Sequence, residues 1–482
     1  RRRRPASLAS PPVRRAAPFL LFVLLVATGA VALWMAREAD ADDPAVASGP
    51  PPTAVTPVLS ARRTPELPAG PVADNRLRDA VQPFLDATPG EECLVVSVAG
   101  RRIVAADPPM PLVPASNQKL ITSVAALTAL GPETRFTTSV ASAAPLADRG
   151  VVDGDLYFIG GGDPLLATDS YVAIDDPPRP NTDLEALADD LVAAGLREVR
   201  GDVVGDDSRW DDEIDVAAWP NRTLSRSKPG ALTALAVNKG FATWPDGPDD
   251  PTGPELAEDP AANSAELLIA LLRDRGVTIT GAGRSGDAPE EVTTLASIDS
   301  LTVAELVDQM NTYSDNTTAE MLLKEVGRVR SGEGSTEVGA AAATQILTEL
   351  GLPTDGVVVL DGSGLAADEV TCGLLAASLE ANGRDSELAS GLPVAGETGT
   401  LRTRFLGTDA KGRLRAKSGF LNQSTALSGF VDTIPGTVVT FAYIGNDDFV
   451  TQQEVNLQEQ LAEALVDYPQ GVDITALEPR PV

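Results

Sequence analysis

The stretch 116–119, Ser-Asn-Gln-Lys, opens an apolar run that ends near Leu130, and the rest of the chain has to fold around it. On a helix, Ser116 and Lys119 occupy neighbouring positions of one face, so a hydroxyl comes beside an amine. A serine is a weak nucleophile until an adjacent base takes its proton, and a lysine becomes that base when its pKa is lowered. The alternative is a chance pattern with Lys119 on a solvated face. The spacing predicts a nucleophile and its base at the start of one helix.

The composition narrows the chemistry that is open to this pair. None of the 482 residues is a histidine, which excludes a Ser-His-Asp triad and any zinc site with His ligands. Only six residues are lysines, whereas arginine is common and cannot be deprotonated in a protein. The glycines at 160–162 are not followed by the lysine of a phosphate-binding loop. We therefore expect a lysine base, no metal and no cofactor.

The charge and the cysteine content exclude further classes of protein. The formal net charge of −31 repels nucleic acid and anionic surfaces, so no nucleic-acid partner is expected. Two cysteines, Cys93 and Cys372, are too few for a disulfide framework or a zinc cluster. They can form one bond in an oxidising compartment or stay as buried thiols, and the sequence leaves both alternatives open.

The first 72 residues predict a membrane anchor and a linker. Residues 1–15 contain six arginines, and residues 16–36 are almost uninterrupted apolar sequence, about the length that spans a bilayer. The positive-inside rule places 1–15 in the cytoplasm and the rest outside, as a single-pass protein of the cell membrane. The alternative is a signal peptide that is cleaved to release a secreted protein. Residues 37–72, rich in proline and alanine, predict an extended linker.

The patterning of the remaining chain defines three segments, 73–138, 139–291 and 292–482. The first and the last combine helical and strand runs and predict one catalytic domain in two pieces. The middle segment has short strands separated by glycine and aspartate, which predicts a large, strand-rich insertion. Three consecutive strand runs with tight turns occur at 414–421, 426–431 and 438–444. Such runs form an antiparallel sheet, so the predicted fold class is α+β with helices on both faces of the sheet.

Two further motifs offer groups that suit a peptide substrate. Ser314 and Asn316 lie between two predicted helices, where a short loop presents a hydroxyl and an amide, although these residue types are also ordinary helix caps. Lys417, Ser418 and Gly419 lie in the first strand of the predicted sheet. The lysine and the serine suit a carboxylate, and the glycine lets a ligand approach the backbone. Each motif alone is a weak signal.

Taken in chain order, the three motifs match S-x-x-K, S-D-N and K-[ST]-G, the set found in penicillin-binding proteins and class A β-lactamases. Two of the six lysines occupy the two positions at which the set requires one. Over residues 75–470 the chain resembles the class C low-molecular-mass penicillin-binding proteins, the D-alanyl-D-alanine carboxypeptidase/endopeptidases. The segments that carry the resemblance are 114–120, 160–164, 313–316, 361–364 and 416–419.

The resemblance implies a penicillin-binding/β-lactamase-like transpeptidase fold. Lys119 and Ser314 are 195 residues apart, far more than a β-lactamase uses. In the family, this excess is extra domain structure inserted into the fold, which agrees with the change of character between 139 and 291.

The resemblance also implies the catalytic roles. Ser116 would attack the carbonyl between the last two D-alanines of a peptidoglycan stem peptide, with Lys119 as its base. Ser314 would pass a proton to the leaving D-alanine, and Asn316 would orient Lys119. Lys417 would tune the site electrostatically, and we expect its charge, together with burial, to lower the pKa of Lys119.

The implied substrate-binding residues are Ser418, Gly419 and Phe420. Backbone N–H groups of Ser116 and Phe420 would stabilise the oxyanion. Two of these positions depart from the family: Ser418 stands where threonine is more frequent, which preserves the hydroxyl, and Phe420 stands where a small hydroxylic residue is usual. The second departure affects the expected substrate preference.

The expected partners are peptidoglycan stem peptides as substrates and β-lactam antibiotics as covalent inhibitors. Three alternatives share the fold: a β-lactamase, an esterase or amidase for D-amino-acid substrates, and a non-catalytic wall-binding protein. Against the first, no E-x-x-x-N pattern occurs between 317 and 400, and Glu349 lacks the asparagine. Against the last, all five candidate catalytic side chains are present. Stem-peptide type and oligomeric state stay open.

Overall fold

The computed structural model describes residues 66–175, 178–219, 229–245 and 253–469, together with Thr28. The predicted cytoplasmic segment 1–15 and the predicted anchor 16–36 lie outside these residues, except for Thr28. The predicted linker 37–72 also lies outside them up to residue 65. Among the described helices, none combines the length and the apolar character that a membrane span requires.

Helices form much of the chain from residue 66 onward. In chain order they are α1 (Glu66–Ala87), α2 (Gln118–Leu130), α3 (Asp169–Val172), α4 (Leu184–Ala193), α5 (Pro260–Asp274), α6 (Val303–Tyr313), α7 (Asn316–Ser331), α8 (Thr336–Glu349), α9 (Cys372–Asn382), α10 (Glu387–Ser390) and α11 (Gln452–Val466). Short polar side chains begin many of them by accepting a backbone N–H bond of the first turn. Thr302 and Glu305, three positions apart, form a capping box at the start of α6.

The strands are mostly short. They are β1 (Glu91–Val98), β2 (Arg101–Ala106), β3 (Pro111–Leu112), β4 (Thr137–Ser142), β5 (Val151–Val152), β6 (Leu156–Ile159), β7 (Leu166–Ala167), β8 (Thr182–Asp183), β9 (Glu198–Val199), β10 (Val203–Asp206), β11 (Phe241–Thr243), β12 (Glu255–Leu256), β13 (Thr278–Ile279), β14 (Gly283–Ser285), β15 (Thr293–Asp299), β16 (Val370–Thr371), β17 (Leu414–Leu421), β18 (Ser424–Asp432) and β19 (Val438–Asn446).

The main sheet is antiparallel and has the strand order β17-β18-β19-β1-β2. It joins the two ends of the folded chain, because β1 pairs with β19 over seven residue pairs, with Cys93 opposite Ile444. Strands β17 to β19 follow one another as the sequence predicts. β17 lies at the edge of this sheet, so one side of its backbone is not paired within it.

Helices cover both faces of the main sheet. On one face, α1 and α11 pack against side chains such as Val96 and Phe441. On the other, α2 and α9 pack against Val95 and Ile444. Neighbouring residues Val95 and Val96 point to opposite faces because side chains alternate along a strand. The predicted α+β class, with helices on both faces, is confirmed.

A second five-stranded sheet, β14-β10-β6-β4-β15, is built between residues 137 and 299. Its strands β6, β10 and β14 are parallel, whereas β4 pairs antiparallel with both β6 and β15. Since β4 and β15 are neighbours, the chain enters and leaves this region at adjacent points. The predicted insertion boundaries, 139 and 291, fall within β4 and just before β15.

Buried polar contacts hold the inserted region against α7. The Lys324 ammonium, which has no exposed surface, forms an ion pair with Asp211 and donates to the Leu232 carbonyl at 2.9 Å. The Trp210 indole donates to Glu325 at 3.0 Å. Breaking a buried ion pair leaves an uncompensated charge, so these contacts resist separation. They fix the helix that begins at Asn316.

A disulfide joins Cys93, on the central strand β1, to Cys372, the first residue of α9. Both cysteines are fully buried in the core that also contains α2. The sequence left the bonded and the free states open, and the structure has the bonded one. The bond links residues 279 positions apart and ties α9 to the sheet.

We expect the Cys93→Ser/Cys372→Ser double variant to lose about 2–5 kcal/mol of unfolding free energy, since the unfolded chain is no longer cross-linked. Denaturant unfolding with and without a reductant measures this. Reductant should destabilise the wild type and leave the double variant unchanged. Equal stability of the oxidised wild type and the double variant would contradict the expectation.

Candidate active site

Ser116 lies in a single 3₁₀ turn, Ala115–Asn117, that runs directly into α2. The preceding residue, Ala115, has φ of 47°, in the left-handed region that a side-chain-bearing residue rarely adopts. The turn is confined by its surroundings, since a Cβ atom on Gly364 would collide with the Ala115 carbonyl oxygen. Such strain persists only where the surrounding structure enforces it, and it aims the half-buried Ser116 hydroxyl out of the turn.

Lys119 is fully buried, and its amine meets three oxygen atoms. Nζ lies 3.1 Å from Ser116 Oγ, 2.7 Å from Asn316 Oδ1 and 2.7 Å from the Ser363 carbonyl oxygen. The amide and carbonyl oxygens can only accept, whereas a hydroxyl can also donate. A neutral lysine therefore donates to Asn316 and Ser363 and turns its lone pair towards Ser116. This arrangement is what a base for that hydroxyl requires.

Burial is the main cause that makes Lys119 available as a base. It lowers the pKa of Lys119 to about 8. Four nearby carboxyl groups act in the opposite direction and raise this pKa: those of Asp361, Glu320, Asp315 and Asp368. The expectation that the charge of Lys417 lowers this pKa together with burial is wrong, because burial is the one main cause that lowers it. Burial and then the repulsion by Lys119 instead lower the pKa of Lys417 well below its usual value.

Ser314 joins α6 to α7 in a left-handed conformation, with φ of 57° and ψ of 43°. This conformation ends α6 and turns the Ser314 hydroxyl towards β17. There, Lys417 Nζ donates to Ser314 Oγ at 2.9 Å and to the Ser418 carbonyl at 2.9 Å. Ser314 is thus placed to exchange a proton with a group between the loop and the strand.

Asp315, between Ser314 and Asn316, holds this loop in place. It accepts from Lys239 Nζ at 2.6 Å, from Gln309 at 2.9 Å and from the Thr318 N–H at the start of α7. Burial by itself raises the pKa of Asp315, but the Lys239 ammonium and these bonds lower it to about 2. Asp315 therefore stays charged, and Lys239 of the inserted region fixes the motif.

The end of β17 provides the remaining candidate residues. Ser418 shares a hydrogen bond of 2.8 Å with the Thr400 hydroxyl, so two hydroxyls lie side by side. A Cβ atom on Gly419 would lie 2.8 Å from the Pro114 carbonyl oxygen, so only glycine lets β17 approach the Ser116 turn so closely. Phe420 is 56% exposed. This strand edge can pair with an extended peptide.

The structure brings the predicted residues into two hydrogen-bonded groups. Ser116, Lys119 and Asn316 form one, and Ser314 with Lys417 forms the other, joined through the short loop between α6 and α7. Sequence reasoning missed the contributions of Lys239, Thr400 and the Ser363 carbonyl. The segment 361–364 is among those that carry the resemblance, but no sequence pattern indicates which carbonyl of a loop meets a lysine.

Comparison with known proteins gives one match to a family and several relatives. The pattern of the D-Ala-D-Ala carboxypeptidase 3 (S13) family matches residues 93–244 and 255–467. The chain is similar to a D-alanyl-D-alanine carboxypeptidase of Actinomadura sp. (strain R39), at 28% identity over 80% of this chain and 82% of that protein. It is also similar to the carboxypeptidase DacB of Mycolicibacterium smegmatis, at 29% identity over 89% of this chain and 91% of that protein.

Among solved structures, penicillin-binding protein 4 (dacB) from Haemophilus influenzae has the same fold. Its TM-score is 0.66, with 20% sequence identity, and the match covers 81% of this chain and 98% of that one.

The two buried lysines lead to a test of their coupling. Lys119 must be neutral to accept a proton, so acylation should rise with pH around its pKa of about 8. Because burial, and not the charge of Lys417, is the main cause of that lowered pKa, Lys417→Gln should leave the midpoint of the rising limb near that of the wild type. It removes the amine that donates to Ser314 Oγ, so we expect acylation by penicillin to slow by at least about tenfold.

Lys417→Arg is the matched control, since it keeps a donor on the strand but fits the buried site poorly. It should also be slow with a nearly unshifted midpoint. A midpoint that moves to higher pH in Lys417→Gln but not in Lys417→Arg would mean that the charge of Lys417 does tune Lys119.

Proposed function

Because the chain belongs to the D-Ala-D-Ala carboxypeptidase 3 (S13) family and is a serine-type D-alanyl-D-alanine carboxypeptidase, we propose that it acts through an acyl-enzyme on Ser116. The observation that supports this most directly is the position of the buried Lys119 amine, 3.1 Å from Ser116 Oγ. Its other two partners, Asn316 Oδ1 and the Ser363 carbonyl oxygen, can only accept hydrogen bonds. The substrate is the D-Ala-D-Ala end of a peptidoglycan stem peptide.

Acylation follows from the two hydrogen-bonded groups. Neutral Lys119 takes the proton of Ser116 as its oxygen attacks the carbonyl between the two D-alanines. The C–N bond then breaks as Ser314 gives its proton to the nitrogen of the leaving D-alanine and takes up the proton that Lys119 received from Ser116, so both groups return to their starting protonation states. Lys417, bonded to Ser314 Oγ at 2.9 Å, supports this transfer. The ester left on Ser116 is hydrolysed by water, which releases the shortened peptide.

Substrate binding would use the edge of β17. The terminal carboxylate of the peptide is expected near Lys417 and the paired hydroxyls of Ser418 and Thr400. The backbone N–H groups of Ser116 and Phe420 would hold the oxyanion, a contribution of about 10²–10³ in rate per donor. The exposed Phe420 ring adds an apolar contact at the end of the strand.

A β-lactam carries a strained amide in place of the scissile bond, so the same attack would acylate Ser116. A solved structure of the Haemophilus influenzae protein is a complex with a β-lactam. Its 21% identity supports only the shared fold, so inhibition of this chain by penicillins is part of the proposal.

We further propose that the catalytic part lies outside the cytoplasm on an anchor at 16–36. The arginine-rich residues 1–15 and the buried disulfide between Cys93 and Cys372 support this, since such bonds persist in oxidising compartments. Carbonate-washed membranes of cells that express the full chain should retain it. Release of a chain that begins after residue 36 would support the secreted alternative instead.

We expect fluorescent penicillin to label the wild type covalently and Ser116→Ala to remain unlabelled while its thermal unfolding is unchanged. Ser386→Ala, which alters a helix cap at α10, is the matched control and should label as the wild type does. Peptide mapping should place the label on the segment with Ser116, and a label on Ser314 would contradict the assignment.

The same preparations should release D-alanine from a stem pentapeptide. A cross-linked muropeptide in parallel separates carboxypeptidase from endopeptidase activity. A wild type that is labelled but cleaves neither substrate would favour the alternative of an esterase or amidase.

A further inference from the structure

The loop 361–366 contacts the start of α2, the helix that carries Lys119, through its backbone carbonyl groups. Three consecutive carbonyl groups of the loop accept hydrogen bonds from side chains at the start of α2. The pairs are Asp361 with Gln118 at 3.2 Å, Gly362 with Thr122 at 2.6 Å and Ser363 with Lys119 at 2.7 Å. The loop therefore presents a row of acceptors to the helix that carries the base.

Four N–H groups of the loop, those of residues 363–366, donate to the Asp361 carboxylate. Oδ1 accepts from Ser363 at 3.0 Å and Gly364 at 2.6 Å, and Oδ2 from Leu365 at 3.0 Å and Ala366 at 2.7 Å. The Trp219 indole donates to Oδ2 as a fifth donor, at 2.7 Å. A carboxylate satisfies five donors, whereas an amide would turn donors of its own against some of them.

Two other buried carboxyl groups lie against this loop and differ from Asp361. Glu320, one turn after Asn316 on α7, accepts from the Gly362 N–H at 2.9 Å, and Asp368 accepts from the Leu360 N–H at 2.7 Å. Burial, with the nearby Asp361 carboxylate, raises the pKa of Glu320 well above its usual value and that of Asp368 to about 8. Each has an oxygen without a hydrogen-bond partner, whereas both oxygens of Asp361 are bonded.

We propose that Asp361 is a positioning residue for the base: its carboxylate gathers the loop N–H groups so that the Ser363 carbonyl directs Lys119 towards Ser116. Without that carbonyl, the Lys119 amine has one fixed acceptor, Asn316 Oδ1, and its lone pair is no longer constrained to face the serine. This inference rests on the proposed function, since it assigns a support to the base of that reaction.

The proposal has a distinctive consequence for the pH dependence. Burial lowers the pKa of Lys119, and the Asp361 carboxylate is the first of the groups that raise it. The other carboxyl groups that act on this amine are Glu320 and Asp315, from α7 and the loop before it, and Asp368. Lys417 from β17 lies near enough that Lys119 lowers its pKa. Loss of the Asp361 charge should therefore lower the pKa of Lys119 while the misplaced amine reacts more slowly.

The test is the rate constant of acylation by fluorescent penicillin as a function of pH. For Asp361→Asn we expect the plateau rate to fall about 10- to 100-fold, because the base is misaligned, and the midpoint of the rising limb to move to lower pH. A variant that is only less well folded would show a smaller labelled fraction with an unshifted midpoint. That outcome, or a wild-type rate and midpoint, would overturn the proposal.

Asp368→Asn is the matched control, because it makes the same substitution at a buried carboxyl of the same loop region and keeps the acceptor for Leu360. It should stay within about threefold of the wild-type rate, with a smaller shift of the midpoint. If Asp368→Asn reproduces both effects of Asp361→Asn, the general charge of the region is responsible and Asp361 has no special role.

Asp361→Glu separates the effect of geometry from that of charge. It also replaces Asp361→Asn in the test if that variant does not unfold cooperatively. It keeps the anion but displaces the carboxylate, so we expect slow acylation with a nearly unshifted midpoint. A wild-type rate for Asp361→Glu would overturn the proposal. Absence of labelling in the wild type would instead contradict the proposed function, so the two failures are distinguishable.

Discussion

The burial of Lys119 is the constraint on which the arrangement of the site depends. An amine without access to water has to find its hydrogen-bond partners in the protein, and here they come from the Ser116 turn, from α7 and from the loop 361–366. These three segments are distant in the sequence, so they must pack together around the Lys119 side chain. The same burial lowers the pKa of the amine to about 8, which gives the base its reactivity.

The main sheet is the framework that brings these segments together. β1 in its centre connects the first segment of the chain with β19 of the last, and α2 packs on one face of this sheet. β17, at the edge, carries Lys417 to the Ser314 hydroxyl and leaves a backbone edge for an extended peptide. A single sheet thus positions the nucleophile helix and the substrate-binding strand relative to each other.

The inserted region takes part in this site. Lys239 pairs with Asp315 of the S-D-N motif, and the Trp219 indole donates to Asp361 of the loop that supports Lys119. Lys324, on the helix after the motif, is paired with Asp211. These contacts place charges and donors of the insertion directly behind catalytic loops, so the insertion and the catalytic segments are parts of one structure.

The sequence by itself determined what depends on local pattern and residue type. The spacing of Ser116 and Lys119, the capping box at Thr302 and the consecutive strands from 414 to 446 follow from periodicity and short-range hydrogen bonding. The order of three motifs was sufficient to indicate the family, because each motif requires particular side chains. Only the tertiary structure decided that Cys93 and Cys372 are bonded, that β6 pairs in parallel with β10, and that burial dominates the pKa of Lys119. It also decided that the Ser363 carbonyl is the third partner of the amine. Backbone carbonyls are the same at every residue, and desolvation depends on the whole surrounding fold, so neither can be recognised in the sequence.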